Sequence, residues 1–232
     1  MKQFLKVYQI YFDPSQLPRL EREYIPYDNS TKCTIFFENS VIRELIEERQ
    51  HLDADYFGVV SWKLREKIDF LRRAGRRHPH IANRSIQQFE PLLFENELRR
   101  HQPDVMSFQR HMPHDPIVLA DRYHPNFIKY YQEIFSKIGI RWVPTHLEDV
   151  FYCNNFAARS QVYEKYVREM LIPAIDVMQN MPELMENSHY PNPLPGALQA
   201  KFGIGYYPYH TFLCERMFSY FARIHNLKCL HY

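Results

Sequence analysis

The sequence predicts one α/β domain with few strands, a heavily aromatic interior and long irregular connections. Three observations carry this. A strand, a helix and a second strand follow one another within residues 4–62, the pattern of a βαβ unit. Further helical periodicities recur down the chain, with one more short strand between them. The length, 232 residues, fits a single domain spanning 1–232 with a substantial core.

The first strand is FLKVYQIYF (4–12), rich in β-formers and closed by the turn signal Asp13-Pro14. PSQLPRLEREYIPYDNS reads as loop. ENSVIRELIEERQHL places Val41, Ile42, Leu45 and Ile46 on one face behind a cap at Asn39 or Ser40, and ADYFGVVSW is the second strand. EPLLFENELRRH is a short helix, PDVMSF a third strand, and HPNFIKYYQEIFSKIGI a helix with a wide apolar face. DVFYCNN reads as a strand entering a turn. SQVYEKYVREMLIPAIDVMQ follows as a long helix capped by Ser160 and kinked at Pro173. MENSHYPNPLPGALQAKFGIGYYPYH, rich in Pro and Gly, reads as an ordered loop or lid. TFLCERMFSYFARIHNL is the last helix, capped at Thr211, with Leu213, Met217, Tyr220, Phe221 and Ile224 on its apolar stripe.

Composition narrows the function classes. The 29 basic and 27 acidic residues leave a net charge of +2, which argues against a nucleic-acid partner. Four cysteines without C-x-x-C spacing indicate neither a zinc site nor a disulfide framework, and point to a reducing cytosol. The N-terminus lacks a signal-peptide pattern, and no apolar run reaches transmembrane length, so the expectation is a soluble, cytoplasmic protein. Aromatics reach 16%, with 17 Tyr and 17 Phe, residues that serve both cores and sugar-binding clefts. No G-x-S-x-G elbow, P-loop or G-x-G-x-x-G is present, which weighs against hydrolase, NTPase and Rossmann-dehydrogenase readings.

Several clusters are chemically suggestive. Asp53 and Asp55, two residues apart, have the spacing of a carboxylate pair that shares Mg2+ or Mn2+ with a diphosphate, against the plainer reading of solvated residues at a strand start. Ser61, Trp62, Lys63 and Arg65 follow the second strand, where α/β sheets bind ligands. There Trp62 is suited to stacking on a base or sugar, and Lys63 or Arg65 to holding phosphate. RRAGRRHPHIANR concentrates arginines that would attract a diphosphate or a lipid headgroup surface, or simply form a solvated face. His111, His114 and Asp115 are ligand-capable, but Pro113 breaks the helix that a histidine pair prefers. Glu215 points away from the apolar stripe of the last helix, either to water or into a site, with Arg216 beside it. Asn154 and Asn155 are poor strand residues suited to a turn.

Four segments in order, YFGVVSWKLREK, PDVMSF, FYCNNFAARSQVYEKYV and YHTFLCERMFSYF, resemble those of bacterial glycosyltransferase-like proteins of capsule, exopolysaccharide and lipopolysaccharide biosynthesis. The resemblance covers most of the chain. It implies a compact GT-A-like three-layer α/β/α sandwich around a mixed sheet, and transfer of a sugar from a nucleoside diphospho-sugar to a glycan or lipid-linked acceptor. Peripheral contact with the inner membrane surface fits such an acceptor. By this analogy Tyr11, Asp13, Ser61, Trp62, Lys63 and Arg65 bound the nucleotide. Asn154, Asn155 and Arg216 meet the sugar or acceptor, and the base is Glu215, Asp115 or Asp55. No D-x-D follows a central strand, which keeps open a non-catalytic carbohydrate-binding or assembly protein that retains the fold.

Overall fold

The computed structural model describes residues 2–68, 89–108, 115–143, 147 and 149–232. The arginine run at 72–84, His111 and His114 therefore lie outside the described residues. The described strands are β1 (Gln3–Tyr11), β2 (Ile25–Asp28), β3 (Ala54–Ser61), β4 (Val105–Ser107), β5 (Phe156–Arg159) and β6 (Cys229–His231). The helices are α1 (Glu38–Glu47), α2 (Pro91–His101), α3 (Pro116–Asp121), α4 (Phe127–Lys137), α5 (Ser160–Tyr166), α6 (Ile172–Met178), α7 (Gly196–Phe202) and α8 (His210–Ile224). All six strands join one mixed sheet in the order β2-β1-β3-β5-β4-β6. β1 pairs in parallel with β2 and β3, β5 runs antiparallel to both β3 and β4, and β6 is parallel to β4.

Period-two alternation sorts the strand residues onto two faces. Tyr8, Ile10, Phe57, Val59, Val105, Phe156 and Ala158 join the larger core, made with α1, α4, α5, α6 and α8. Their neighbours Val7, Tyr56, Val60, Met106 and Ala157 turn to the other face, against Leu64, Ile68, Phe89, Phe94, Leu98 and Phe108. The sheet is thus covered on both sides, which is why β3 reads as a continuous apolar run. Stacked rings lock each layer: Phe156 on Phe218 at 3.9 Å and Phe94 on Phe108 at 4.0 Å between centroids. Among the described residues no helix is long and apolar enough to cross a membrane.

Gly58 lies where β5 crosses β3. A Cβ there would sit 3.1 Å from the Phe156 carbonyl oxygen and 3.4 Å from the Ala157 Cβ, in a strand pair with little freedom to shift. Gly58→Ala is expected to lower stability by about 1–3 kcal/mol, read as a lower urea midpoint at unchanged slope.

The structure departs from the sequence expectation at several elements. DVFYCNN is not a strand; β5 begins only after Asn155. Cys153 and Asn154 both adopt left-handed backbone, each at φ 55°, which turns the chain into β5 and which asparagine tolerates better than most residues. Ser160 is the first helical residue and not a cap; its hydroxyl donates to the Ala54 carbonyl at 2.6 Å. The long helix is continuous in path, but Val167–Leu171 form a π-turn just before Pro173, where the proline removes one backbone donor. Asn39 and Ser40 sit inside α1, bonded back to the Phe36 and Phe37 carbonyls, and Thr211 lies inside α8. The loop-like stretches contain β2 and α7, and α3 is a short helix that the sequence reading left unassigned. The stripe assigned to the last helix also fails: Phe212, Ser219 and Ala222 are buried, whereas Ile224 is 55% exposed, because α8 is packed on nearly every side.

Candidate functional site

The strand directions bring the carboxyl ends of β1 to β4 and the amino end of β5 to one edge of the sheet. Ser61, Ser107 and the Asn154-Asn155 turn share that edge, and Trp62 extends the ladder there by donating its backbone N–H to the Ile10 carbonyl at 2.9 Å. Ligands of open α/β sheets bind at such edges. Here the edge carries a partly buried polar cluster assembled from five segments distant in sequence.

The first is the turn before β5. Asn154, 2% exposed, donates its side-chain amide to the Asn39 Oδ1 at 3.1 Å. Asn155 is fully buried, and its backbone carbonyl accepts from the Phe108 N–H at 2.9 Å. Its side-chain Nδ2 and Oδ1 both lack a hydrogen-bond partner among the described residues. A buried amide left unpaired costs on the order of 1–3 kcal/mol, which makes Asn155 a candidate for a ligand contact.

The second segment opens α1. Phe37, at φ 50° and ψ −120°, occupies a conformation that non-glycine residues rarely adopt. Aromatic contacts with Phe12, Phe202 and Tyr207 hold it there. The kink delivers Glu38 and Asn39, both buried, into the cluster.

From α8 come Glu215 and Arg216, each with a side chain 13% exposed and 3.9 Å apart. The Cys153 thiol donates to the Glu215 Oε2 at 3.7 Å. Arg216 lies over the rings of Phe127 and Tyr152, donates Nη1 to the Phe212 carbonyl at 2.6 Å, and keeps a buried Nε without a hydrogen-bond partner among the described residues. The fourth segment is the helical stretch 64–68 after β3, which supplies Lys67. The fifth, between α6 and α8, brings Tyr190 and Tyr207. It is tied down where Ser188 bonds to the Tyr207 carbonyl and to His124 Nδ1, the latter at 2.6 Å.

The electrostatics center on Lys67. Burial works to lower its ammonium, but the groups around it outweigh that and raise it above its usual range; at neutral pH, where the Cys153 thiol and the Tyr190 phenol are uncharged, Glu38 and Glu215 are the partners that hold it charged. Glu215 is the converse. Burial raises its carboxyl, Lys67 and Arg216 pull it back, Glu38 pushes it up again, and the net is a raised pKa. Burial, reinforced by Glu215, pushes the Cys153 thiol up to about 12, so it stays protonated and is no nucleophile at neutral pH. A carboxyl with raised pKa beside two cations can exchange a proton and meet an anion in one place.

The sequence-derived candidates separate. Glu215, Arg216, Asn154 and Asn155 come together here, with Ser61 and Trp62 on the same edge. Lys63 is exposed with its ammonium over the Trp62 ring at 5.0 Å, and Arg19 lies 5.1 Å from that ring. Tyr11 sits at the end of β1, its phenol raised by burial and then by Asp28. Asp13 caps the turn that follows, accepting from the Ser15 N–H at 2.8 Å. Arg65 is committed elsewhere, in a two-pronged pair with the buried Glu21 at 2.7 and 2.6 Å. Asp115 caps α3, accepting from the Ile117 and Val118 N–H groups and from the Tyr220 hydroxyl. Asp55 and Asp53 stand at the opposite, amino end of β3, paired with Lys2 at 2.9 Å and Lys6 at 3.6 Å. The strand rise sets Asp55 roughly 20 Å from Ser61. These two carboxylates therefore do not fit a cation bound at the cluster. Among the described residues no three His, Cys, Asp or Glu side chains group as metal ligands.

Lys67, Glu38, Asn39, Tyr190 and Tyr207 are the members sequence reasoning missed. The one available signal was in SWKLREK, where Lys63 and Lys67 stand a helical turn apart; Trp62 and Lys63 form a turn, so the helix presents the second lysine. Comparisons with protein-family models, characterised proteins and solved structures give no match for this chain.

Proposed function

We propose that the chain is a glycosyltransferase of compact GT-A-like architecture, moving a sugar from a nucleoside diphospho-sugar to a glycan or lipid-linked acceptor of surface-polysaccharide synthesis. The observation that carries this reading is the meeting of Lys67, Glu215 and Arg216 at the edge of the sheet that also holds the Asn154-Asn155 turn. Three of the four resembling segments supply those residues.

Transfer requires the departing diphosphate to be neutralised, and Lys67 and Arg216 are the cations at hand. It also requires a group to take the proton of the acceptor hydroxyl, and Glu215 has the raised pKa suited to that. Asn155 offers a donor and an acceptor to a sugar hydroxyl. The cation charge comes from side chains in this scheme, since Asp53 and Asp55 are at the other end of the sheet.

Thermal-shift measurements with a panel of nucleoside diphospho-sugars, with and without manganese, followed by chromatographic assay of donor hydrolysis, test the proposal. At least one donor is expected to raise the melting temperature and to be hydrolysed slowly. Asn155→Leu is the sharper control: replacing an unpaired buried amide by an apolar side chain of similar size should leave stability unchanged or raise it. The same variant should lose most of the donor-induced shift. A panel without any shift, or a shift untouched in both Asn155→Leu and Lys67→Met, would sink the enzyme reading. Binding without hydrolysis would instead favour a carbohydrate-binding protein that keeps the fold.

A further inference from the structure

A cavity of about 360 Å³ is lined by residues that are not members of the polar cluster. It lies between the approach to α1 and the end of α6. Ile35, Phe36, Ile175, Met178, Met181 and Met185 supply its apolar lining, with His210 as the buried polar group. Its volume falls within the range of small-molecule sites. A dry cavity of about 150 Å³ already accepts benzene, so this one takes a body of roughly two rings.

Two observations define the chemistry of an occupant. His210 is 2% exposed and packs edge-on to Phe36 at 5.1 Å, and its buried Nδ1 has no hydrogen-bond partner among the described residues. Buried imidazole nitrogens are normally paired, and a neutral imidazole offers one donor and one acceptor. Among the described residues of the lining Arg43 is the only charged one, and it is spent on Glu47 and Asp176 at 2.9 Å each. Among those residues an anion would find no free cation and a cation no carboxylate. Three methionines give the walls an adaptable apolar surface.

We propose that this cavity binds an uncharged, mainly aromatic or aliphatic small molecule whose single hydroxyl hydrogen-bonds to His210. The site is separate from the polar cluster and does not depend on the glycosyltransferase reading.

The test uses the full chain labelled with 13C at the methionine methyls and titrated with 1-naphthol, naphthalene and 1-naphthalenesulfonate. Single Met→Leu variants assign the signals. Saturable shifts are expected at Met178, Met181 and Met185, with 1-naphthol binding about fivefold more tightly than naphthalene, the contribution of one neutral hydrogen bond. The sulfonate should not bind. In His210→Phe the preference for naphthol over naphthalene should vanish while naphthalene still binds. If that variant does not fold, the naphthol-to-naphthalene ratio in the native protein decides alone. Equal affinities, preferred binding of the sulfonate, or no saturable shift at these methionines would each overturn the proposal. So would methionine shifts that depend on protein concentration without ligand, which would give the cavity to a second copy of the chain.

Discussion

Lys67→Met is expected to abolish donor turnover and to cost about 2 kcal/mol of stability at neutral pH, and adding Glu215→Gln should restore the stability but not the turnover. The reason is charge balance in a partly buried cluster. Glu38 and Glu215 both act on Lys67, and the Lys67 charge is the largest influence opposing the burial that raises Glu215. Without that charge Glu215 stays ionised at neutral pH only at a cost in folding free energy. Removing one partner of a fully buried pair costs more, about 3–5 kcal/mol; Lys67 keeps some solvent contact, which argues for the smaller figure.

The sign with pH follows from the raised pKa of Glu215. A carboxyl raised in the folded state binds its proton more readily there than in the unfolded chain, so the folded state is penalised as pH rises above the ordinary carboxylate range. The defect in Lys67→Met should therefore be present at pH 7 and fade as pH falls toward that range. Urea midpoints of the native protein, the single variant and the double variant across this interval provide the check. Turnover recovered in the double variant would show that the cation is structural and not part of the chemistry.

His210 gives the second large effect. Burial alone pushes its pKa down from 6.5 to about 4, so the folded protein keeps this imidazole neutral where the unfolded chain protonates it. The folded value is depressed, and the linked stability is fully present above about 6.5 and is lost as pH falls through the window to 4. The loss amounts to about 3 kcal/mol at its lower end. Carboxylates also titrate toward the acid end, so the informative quantity is the difference between native protein and His210→Phe. The ring shape suits packing against Phe36, and the variant should lose this part of the acid slope. Parallel stability curves between pH 6.5 and 4 would contradict a buried neutral His210.

Much of the fold was legible because it rests on local pattern. FLKVYQIYF, ADYFGVVSW and PDVMSF announced β1, β3 and β4 through β-branched and aromatic content. The helices around Val41, Phe127 and Met217 followed from apolar spacing. β2 and β6 were missed because short edge strands carry partial burial and no strong alternation: IPYD alternates between intermediate and exposed, and CLH is intermediate throughout. The asparagine pair misled in direction. An apolar run before Asn154 looked like a strand, yet Phe151 is buried by edge-on contact with Phe218, and the strand comes after the turn.

Glu215 marks the limit most clearly. A one-sided stripe on the last helix sends it to water, and that inference holds only for a helix with one covered face. α8 is packed on nearly every side, and the direction Glu215 takes leads to Cys153 and Lys67. Asn154 and Asn155, Glu215 and Arg216 were visible as residues in want of a reason. The sequence by itself determined the α/β class, the order of the principal elements and the residue types available for chemistry, since these depend on periodicity and turn propensity within a few residues. Only the tertiary structure decided which charges are already spent, as in Arg65 with Glu21, and which meet, as Lys67, Glu38 and Glu215 do. Pairing across a sheet edge joins residues over a hundred positions apart, and no local pattern encodes that distance.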